Sequence, residues 1–405
     1  MTGEAVSLRG RIERLGDAFD LLAAYGDRGF LFERGGLGIA TSGPIVATAP
    51  PAIAARMLAD VDRSTRGGGR TVAVAALPFL DGDGTILSIA ARTVRRSATG
   101  ETFRLDIGDG TGAVPATTML RPTGPDEPFR AAQLREDPPA ADYAAGVADL
   151  VGRLRRDELR KVVLARTIEV AAGRRLDGRM LAHRLRAVNS DAYTFAAPTA
   201  TGTIVGASPE LLVSRFGREV RSNPLAGSAA RAGDPVEDRE NGERLLASAK
   251  DHEEHAIVVE AIARTLEQRC RELSWDREPV LLETPNVWHL STRFRGLLRE
   301  PAPSALDLVR ELHPTPAVAG EPRDAALAAI ERLEPFDRGA YAGPVGWVDA
   351  SGDGEWAIAL RCADLRDDHA TLYAGAGIVA DSDPAAEVDE TDRKFRAFLD
   401  ALRWG

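Results

Sequence analysis

The chain is poor in the residues from which disulfide and zinc chemistry is built. It has two cysteines, Cys270 and Cys362, and six histidines in 405 residues. Two cysteines make no disulfide framework and suit a reducing cytoplasm; both read as buried thiols. No stretch approaches the ~18 uninterrupted apolar residues of a membrane helix. The opening "MTGEAVSLRGRIERLGD" also lacks the apolar run of a signal peptide, so a cytoplasmic protein with no membrane partner is expected. An excess of positive charge is missing as well: the formal net charge is −10, which argues against nucleic acid as a partner. There is no P-loop, and "YAGAGIV" is not GxGxxG, so nucleotide binding lacks its usual loop. Its glycines, Gly375 and Gly377, do let a ligand approach a strand backbone.

What is present is an ordinary globular composition, 44% hydrophobic and 28% charged, in a chain long enough for a large core. "TVAVAALPFL" and "GTILSIAART" read as strands, separated by turns such as Asp81-Gly82-Asp83-Gly84. The proline-rich stretch from Arg121 to Tyr143 reads as a connection, and a helical segment runs on from it through Leu159. "KVVLARTIEV" is a β-branched strand. "TGTIVGASPELLVSRFGREVRS" reads as a hairpin turning near Phe216-Gly217, and the period is helical from Glu237 to Arg271. "GPVGWVDASGDGEWAIALRCADL" is a second hairpin; its "DASGDGE" imitates a calcium loop but fails the EF-hand spacing and reads as a turn. "ETDRKFRAFLDALRW" closes the chain as a helix with Phe395, Phe398, Leu399 and Leu402 on one stripe. Strands come as hairpins rather than βαβ units, which favours an α+β fold with large antiparallel sheets.

Chemistry concentrates in "KDHEEHAIVVEAI", Lys250 to Ile262. A zinc peptidase would need histidines at i and i+4, whereas His252 and His255 stand at i and i+3 with no third ligand in view. On a helical wheel Val258, Ala261, Ile262 and Leu266 define an apolar face. Asp251 and Glu254 fall on that face; His252 and Glu253 point away. Carboxylates aimed at a core need a partner, and either a buried arginine or a hard cation held by oxygen ligands supplies one. A second acidic group, "AEVDETDRK", sets Glu387, Glu390 and Lys394 on one face of a helix start, where the dipole favours acids in any case. Lys161 opens its strand on the face of Val163 and Ala165, as a strand-end amine or a buried one. Glu210, after Pro209 in "GASPELLV", reads as a turn carboxylate or a functional acid.

Several segments together resemble the chorismate-utilising enzymes, most closely the isochorismate synthases. They are "RKVVLAR", "VGASPELLV", "SNPLAGSAAR", "ENGERLLASAKDHEEH", "VWHLSTRF", "LHPTPAVAGEPR", "LEPFDRGAYAGPVGW", "GEWAIALRCA" and "AGAGIVADSDPAAEVDETDRK", in the family's order. The resemblance implies that family's fold, large antiparallel sheets in a sandwich-like core flanked by helices. It makes residues 140–405 the chorismate-binding catalytic region and 1–125 a weakly matching N-terminal part of one intimate unit. It implies chorismate as substrate and Mg²⁺ as cofactor, with water adding at C2 while the C4 hydroxyl leaves. Lys161 matches the base and Glu210 the general acid. Glu254 and Glu390 match the metal ligands, with Asp251 and Glu387 as neighbouring acids. Arg361, Gly375 and Lys394 match the grip on the enolpyruvyl carboxylate; Gly227 and His289 match positions lining the ring.

Particular positions separate the branches of the family. Lys161 fits the branch that uses water, and Ala226 stands where the aminodeoxychorismate branch carries a lysine. Ala317 stands where pyruvate-eliminating lyases tend to have Thr, while Tyr341 is a residue those lyases share. The resemblance thus favours isochorismate synthase, with salicylate synthase or another lyase, or a non-catalytic binding relative, as the alternatives. Siderophore, menaquinone and salicylate biosynthesis are the destinations open to isochorismate. A monomer is expected, since water as nucleophile calls for no amine-supplying partner. Chorismate is a dianion, so four acids around it would repel it by about 4 kcal/mol per close pair at an effective dielectric near 20; a divalent cation reverses that sign. Lys161 must be uncharged to act as a base.

Overall fold

The computed structural model describes residues 8–403 apart from 17–18, 27, 66–70, 81–84, 98 and 109–132. The expected turn at Asp81–Gly84 and residues 121–132 of the proline-rich connection lie outside the described residues. Nineteen described strands join in one antiparallel network, and three more, Leu225–Ala230, Val280–Glu283 and Val287–Ser291, form a small second sheet. With helices on its flanks this is the expected α+β architecture. Both hairpins form: Leu211–Phe216 pairs with Glu219–Asn223, and Pro344–Asp349 pairs with Gly354–Ile358. Among the described residues no helix is long and apolar enough to cross a membrane.

The strand Lys161–Ala171 is the spine of the molecule. It pairs along its length with His369–Ile378, from Ala171↔His369 to Val162↔Ile378. Val162 and Leu164 enter one hydrophobic core with Tyr143, Val258, Ile262 and Trp356. Ile168 and Val170 enter a second with Leu181, Leu372, Phe395 and Phe398. N-terminal strands join the same network: Leu31–Arg34 pairs with Tyr193–Pro198, and Val72–Ala76 with Pro344–Asp349.

Two helical expectations are corrected. The helical stretch from Glu237 to Arg271 is not continuous; it breaks at Ser248 into Pro235–Ala247 and Ala249–Arg269. Ser248 takes an extended conformation (φ −75°, ψ 111°), and its hydroxyl accepts the Asp251 N–H to cap the second helix. Side-chain capping competes with helix continuation at such a serine, and the break re-aims the acidic segment. The helix expected through Leu159 is Ala140–Leu154, after which Asp157 at φ 58° turns the chain. The last helix, Pro384–Arg403, begins ahead of the expected segment and buries Phe395, Phe398 and Leu402 as expected, Leu399 only in part.

Buried charge fixes two of these elements against the spine. Arg166, inside the strand, donates to Thr391 Oγ1 (2.8 Å) and pairs with Asp392, which sets the register of the last helix. Arg338 and Glu334 form a fully buried ion pair. Arg338 donates to both Glu334 oxygens (2.8 and 2.5 Å) and to the carbonyls of Val318 (2.7 Å) and Val163 (2.8 Å). Glu334 accepts the Ala165 N–H at 2.8 Å. Glu334→Ala strands the guanidinium without its counter-ion, so it is expected to lower unfolding free energy by roughly 3–5 kcal/mol, measured by denaturant titration.

Candidate active site

Two helix N-termini converge beside the spine, and both bring acids. On Ala249–Arg269 the wheel reading holds for Glu254, which is buried, and Glu253, which is exposed; Asp251, expected inward, and His252, expected outward, are both half-buried. On Pro384–Arg403 Glu387 is buried and Glu390 half-buried. The partner of the inward acids is lysine, not the buried arginine that the sequence allowed. Lys161 Nζ lies 3.0 Å from Glu254 Oε1, with 1% of its side chain exposed, so it is not a strand-end lysine in solvent. Lys250 donates to Glu387 Oε1 at 2.9 Å. Lys394 donates to Glu390 Oε1 at 2.6 Å and to the Gly375 carbonyl at 2.7 Å.

Asp251, Glu387 and Glu390 are left unequal. Burial raises Asp251, the nearby Glu254 charge adds to that, and the Ser248 hydrogen bond opposes it. Burial and the Glu390 charge raise Glu387 above the usual carboxylate range. Burial also works against ionised Glu390, but Lys394 outweighs it and holds that carboxyl low. His255, behind Glu254, bonds Thr292 Oγ1 at 2.8 Å and is pushed down to about 4 by burial and then by Lys161. His252 instead turns to the Leu246 carbonyl (2.8 Å), so the two histidines of the acidic segment do not meet.

In front of the acids opens a cleft. Glu210, Glu254, Glu390, Arg361, His289 and Lys394 all reach it, as do Gly227, Ala317, Tyr341 and Gly375. Lys161, Asp251 and Glu387 do not line it; the first is covered by Glu254. Glu210 sits between strands Thr203–Ser208 and Leu211–Phe216, 2% exposed. Burial pushes it up to about 8, against Lys161, the Leu225 N–H and Arg361. It is therefore a protonated acid at neutral pH.

Arg361 stands at φ 49°, a left-handed conformation costly for a side-chain-bearing residue. Its guanidinium donates to His289 Nε2 at 2.8 Å. Arginine has no acceptor, so Nε2 accepts and Nδ1–H donates to the Gly227 carbonyl at 3.2 Å. Burial, then Arg361, pushes His289 down to about 3, leaving it a neutral tether. Tyr341 stacks on Tyr373 with centroids 4.8 Å apart, and burial raises its hydroxyl above the ordinary value. Gly227 turns at φ 74°, where a side chain would be strained. At Gly377 a Cβ would stand 2.0 Å from Glu254 Oε1 and 3.0 Å from Lys161 Cε, so a side chain there would make the Glu254 carboxylate shift.

The match to known proteins agrees with this geometry. Residues 116–403 match the family model described as chorismate binding enzyme, and the chain belongs to that family. It is 46% identical over 272 residues to the isochorismate synthase DhbC of Bacillus subtilis strain 168, covering 65% of this chain and 68% of that one. It is 43% identical over 271 residues to the vibriobactin-specific isochorismate synthase of Vibrio cholerae El Tor Inaba N16961, covering 67% and 69%. Its fold superposes on MenF, the menaquinone-specific isochorismate synthase of Escherichia coli, with TM-score 0.85 and 26% identity, covering 98% of this chain and 94% of that one. It is an enzyme of the chorismate-binding class.

The residues present suit the Mg²⁺ that the family implies. Glu254 and Glu390 offer hard oxygen donors at one cleft, and the missing Cβ at Gly377 leaves Glu254 its room. Among the described residues no set of three or more His, Cys, Asp or Glu is gathered as a ready-made metal cage. Mg²⁺ needs only one or two protein carboxylates when substrate oxygens and water complete its shell.

The sequence reading missed Lys250 and His255. A usable signal was there for the first: three of the 51 basic residues are lysines, Lys161, Lys250 and Lys394, and all three meet these acids. Gly377→Ala is expected to push Glu254 off Lys161 and lower stability by about 1–3 kcal/mol. Thermal melts measure the loss, and an unchanged melt would show that the ion pair does not need that space.

Proposed function

We propose that this enzyme is an isochorismate synthase, converting chorismate to isochorismate with Mg²⁺ as cofactor. The observation that carries the reading is Glu210: a carboxyl 2% exposed, pushed up to about 8 by burial, in the same cleft as Arg361, Lys394 and Glu254, with Lys161 paired to Glu254 behind it. A leaving hydroxyl needs a proton, and a carboxyl held neutral at physiological pH is a suitable donor. Glu210 protonates the C4 hydroxyl as it departs. Lys161 takes the proton of the water that adds at C2. In the geometry described, Glu254 covers Lys161, so the carboxylate must leave the amine before that water can reach it. Arg361 and Lys394 hold the enolpyruvyl carboxylate, with His289 fixing the guanidinium from behind. Glu254 and Glu390 would hold the Mg²⁺, with Asp251 and Glu387 beside them; when bound, that ion would supply the positive charge that offsets these acids when a dicarboxylate approaches.

Water as nucleophile is supported by Lys161, and the absence of a further elimination by Ala317, which has no group to take a ring proton. Tyr341 keeps salicylate synthase as the second reading. Chorismate incubated with enzyme and Mg²⁺, then separated chromatographically, distinguishes them: isochorismate alone is expected, and salicylate as the main product would reverse the assignment.

Lys161→Ala and Glu210→Gln are each expected to abolish turnover; Glu210→Gln leaves the melting temperature close to wild type, whereas Lys161→Ala, which strips Glu254 of its counter-ion, lowers it. The sign of the pH effect comes from Glu210. Its pKa is raised, so the active protonated form is lost as pH rises through about 8; kcat/KM is expected to fall there, and a constant value to pH 9 would contradict its role. His289 offers a geometric test. In His289→Gln the amide oxygen can replace Nε2 as the acceptor for Arg361; in His289→Asn the amide reaches only towards Gly227. KM for chorismate is expected to rise about tenfold or more in the Asn variant and only a few-fold in the Gln variant, as for loss of one hydrogen bond to a charged group.

A further inference from the structure

Lys161 and Lys394 have places in the proposed reaction; the remaining lysine of the chain has none. Lys250 is the second residue of helix Ala249–Arg269. Its amine lies 2.9 Å from Glu387 Oε1, with 32% of the lysine side chain and 3% of the glutamate side chain exposed. Lys161 joins strand to helix and Lys394 pairs within its own helix, whereas Lys250 ties one acidic helix directly to the other. Its charge reaches beyond Glu387 to Glu254, Asp251 and Glu390.

The residue type carries information here. The other 48 basic residues are arginines, and arginine makes the ion pairs with acids elsewhere, such as Arg269–Glu311, Arg332–Asp149 and Arg160–Glu260. A guanidinium at position 250 would hold Glu387 through a planar two-pronged grip. An ammonium is a compact charge on a flexible stem that one rotation carries into solvent. The position calls for a positive charge that can be displaced.

We propose that Lys250 is the resident counter-cation of the carboxylate cluster: it holds the two acidic helix ends together before a divalent cation arrives, and opposes that cation afterwards. This rests on the Mg²⁺ reading above. Lys250 thereby sets how tightly the enzyme takes its metal, and keeps the empty cluster from repelling its own strands and helices apart. A tether with no such role would behave differently, because removing a mere tether loosens the cluster and weakens metal binding. Removing a competing positive charge tightens it.

The test compares wild type with Lys250→Met and Lys250→Arg, without substrate. Mg²⁺ affinity is read by isothermal calorimetry, and melting temperature is read in EDTA and in saturating Mg²⁺. Lys250→Met is expected to melt lower than wild type in EDTA, to gain more from Mg²⁺, and to bind Mg²⁺ about tenfold more tightly, as for removal of a nearby like charge. Lys250→Arg is expected to keep the wild-type melt in EDTA and bind Mg²⁺ more weakly. If Lys250→Met does not fold, Lys250→Gln, which keeps a donor to Glu387 but no charge, carries the same comparison. Wild-type protein that responds to Mg²⁺ in neither readout removes the Mg²⁺ reading itself. Wild-type protein that responds, beside a neutral variant that binds Mg²⁺ no more tightly, leaves that reading standing and overturns the role of Lys250.

Discussion

Four carboxylates brought to one place are the constraint around which this molecule is arranged. Asp251 and Glu254 come from one helix start, Glu387 and Glu390 from another. Their charges act on one another, Glu254 and Glu390 on Asp251 and Glu390 on Glu387, and each burial in that company favours a nearby positive charge. Lysines from three places supply the compensation: the spine strand, the first helix and the second helix itself. Much of the surrounding structure serves to hold those three in reach. Ser248 breaks the long helix so that the acids start a new one, Arg166 fixes the register of the last helix, and Gly377 stays bare to admit the Lys161–Glu254 pair.

The other wall of the cleft is built for rigidity. Arg338 ties the carbonyl of Val163, on the lysine-bearing strand, to that of Val318, next to Ala317, and packs over the Tyr341 ring. Three separate chain segments are thereby held against one buried charge pair. Arg361 adopts a left-handed backbone that an isolated chain would avoid, and His289 holds its guanidinium in a single tautomeric arrangement. Strain kept at a ligand-facing arginine, with a neutral histidine behind it, suits an anion-binding group that must not reorganise when its ligand arrives.

Periodicity made part of this visible in the sequence. The helical wheel placed Glu254 and Asp251 inward and Glu253 outward; strand alternation placed Lys161 on the small-residue face; hairpin signals located the turns at Phe216 and Asp349. Those are local properties, set by neighbours within a few residues. What could not be read was who meets whom. Lys161 and Glu254 are far apart in sequence, and nothing in either segment's pattern selects the other. The inward acids announced only that a cation was needed; a buried arginine or a hard metal ion was the expectation, and the structure supplies lysine. The pairing of Val72–Ala76 with Pro344–Asp349 is likewise a long-range register that no local pattern encodes. The break at Ser248 was obscured because serine is tolerated in a helix, and whether it caps one instead depends on how the two flanking helices pack. Composition held a clue that periodicity did not: a chain otherwise using only arginine keeps its few lysines at one spot.

That preference bears on why a cation would be required at all. The cleft is lined by two cations, Arg361 and Lys394, and by the acids Glu254 and Glu390, with Lys394 and Glu390 paired at 2.6 Å. A ligand with a single carboxylate would be satisfied by Arg361 and Lys394 alone. On the proposed reading the substrate carries two, and the second must come to rest near the acids. Among the described residues that line the cleft Arg361 is the one arginine, and it is given to the first carboxylate. A divalent cation would supply the charge that makes that approach favourable, and on this reading the demand for it would come from the charge of the substrate. It also gives Lys161 its release: whatever draws Glu254 towards the ligand takes it away from the amine that it covers. Substrate charge, cation demand and exposure of the base are in this view one event at the junction of two helix ends.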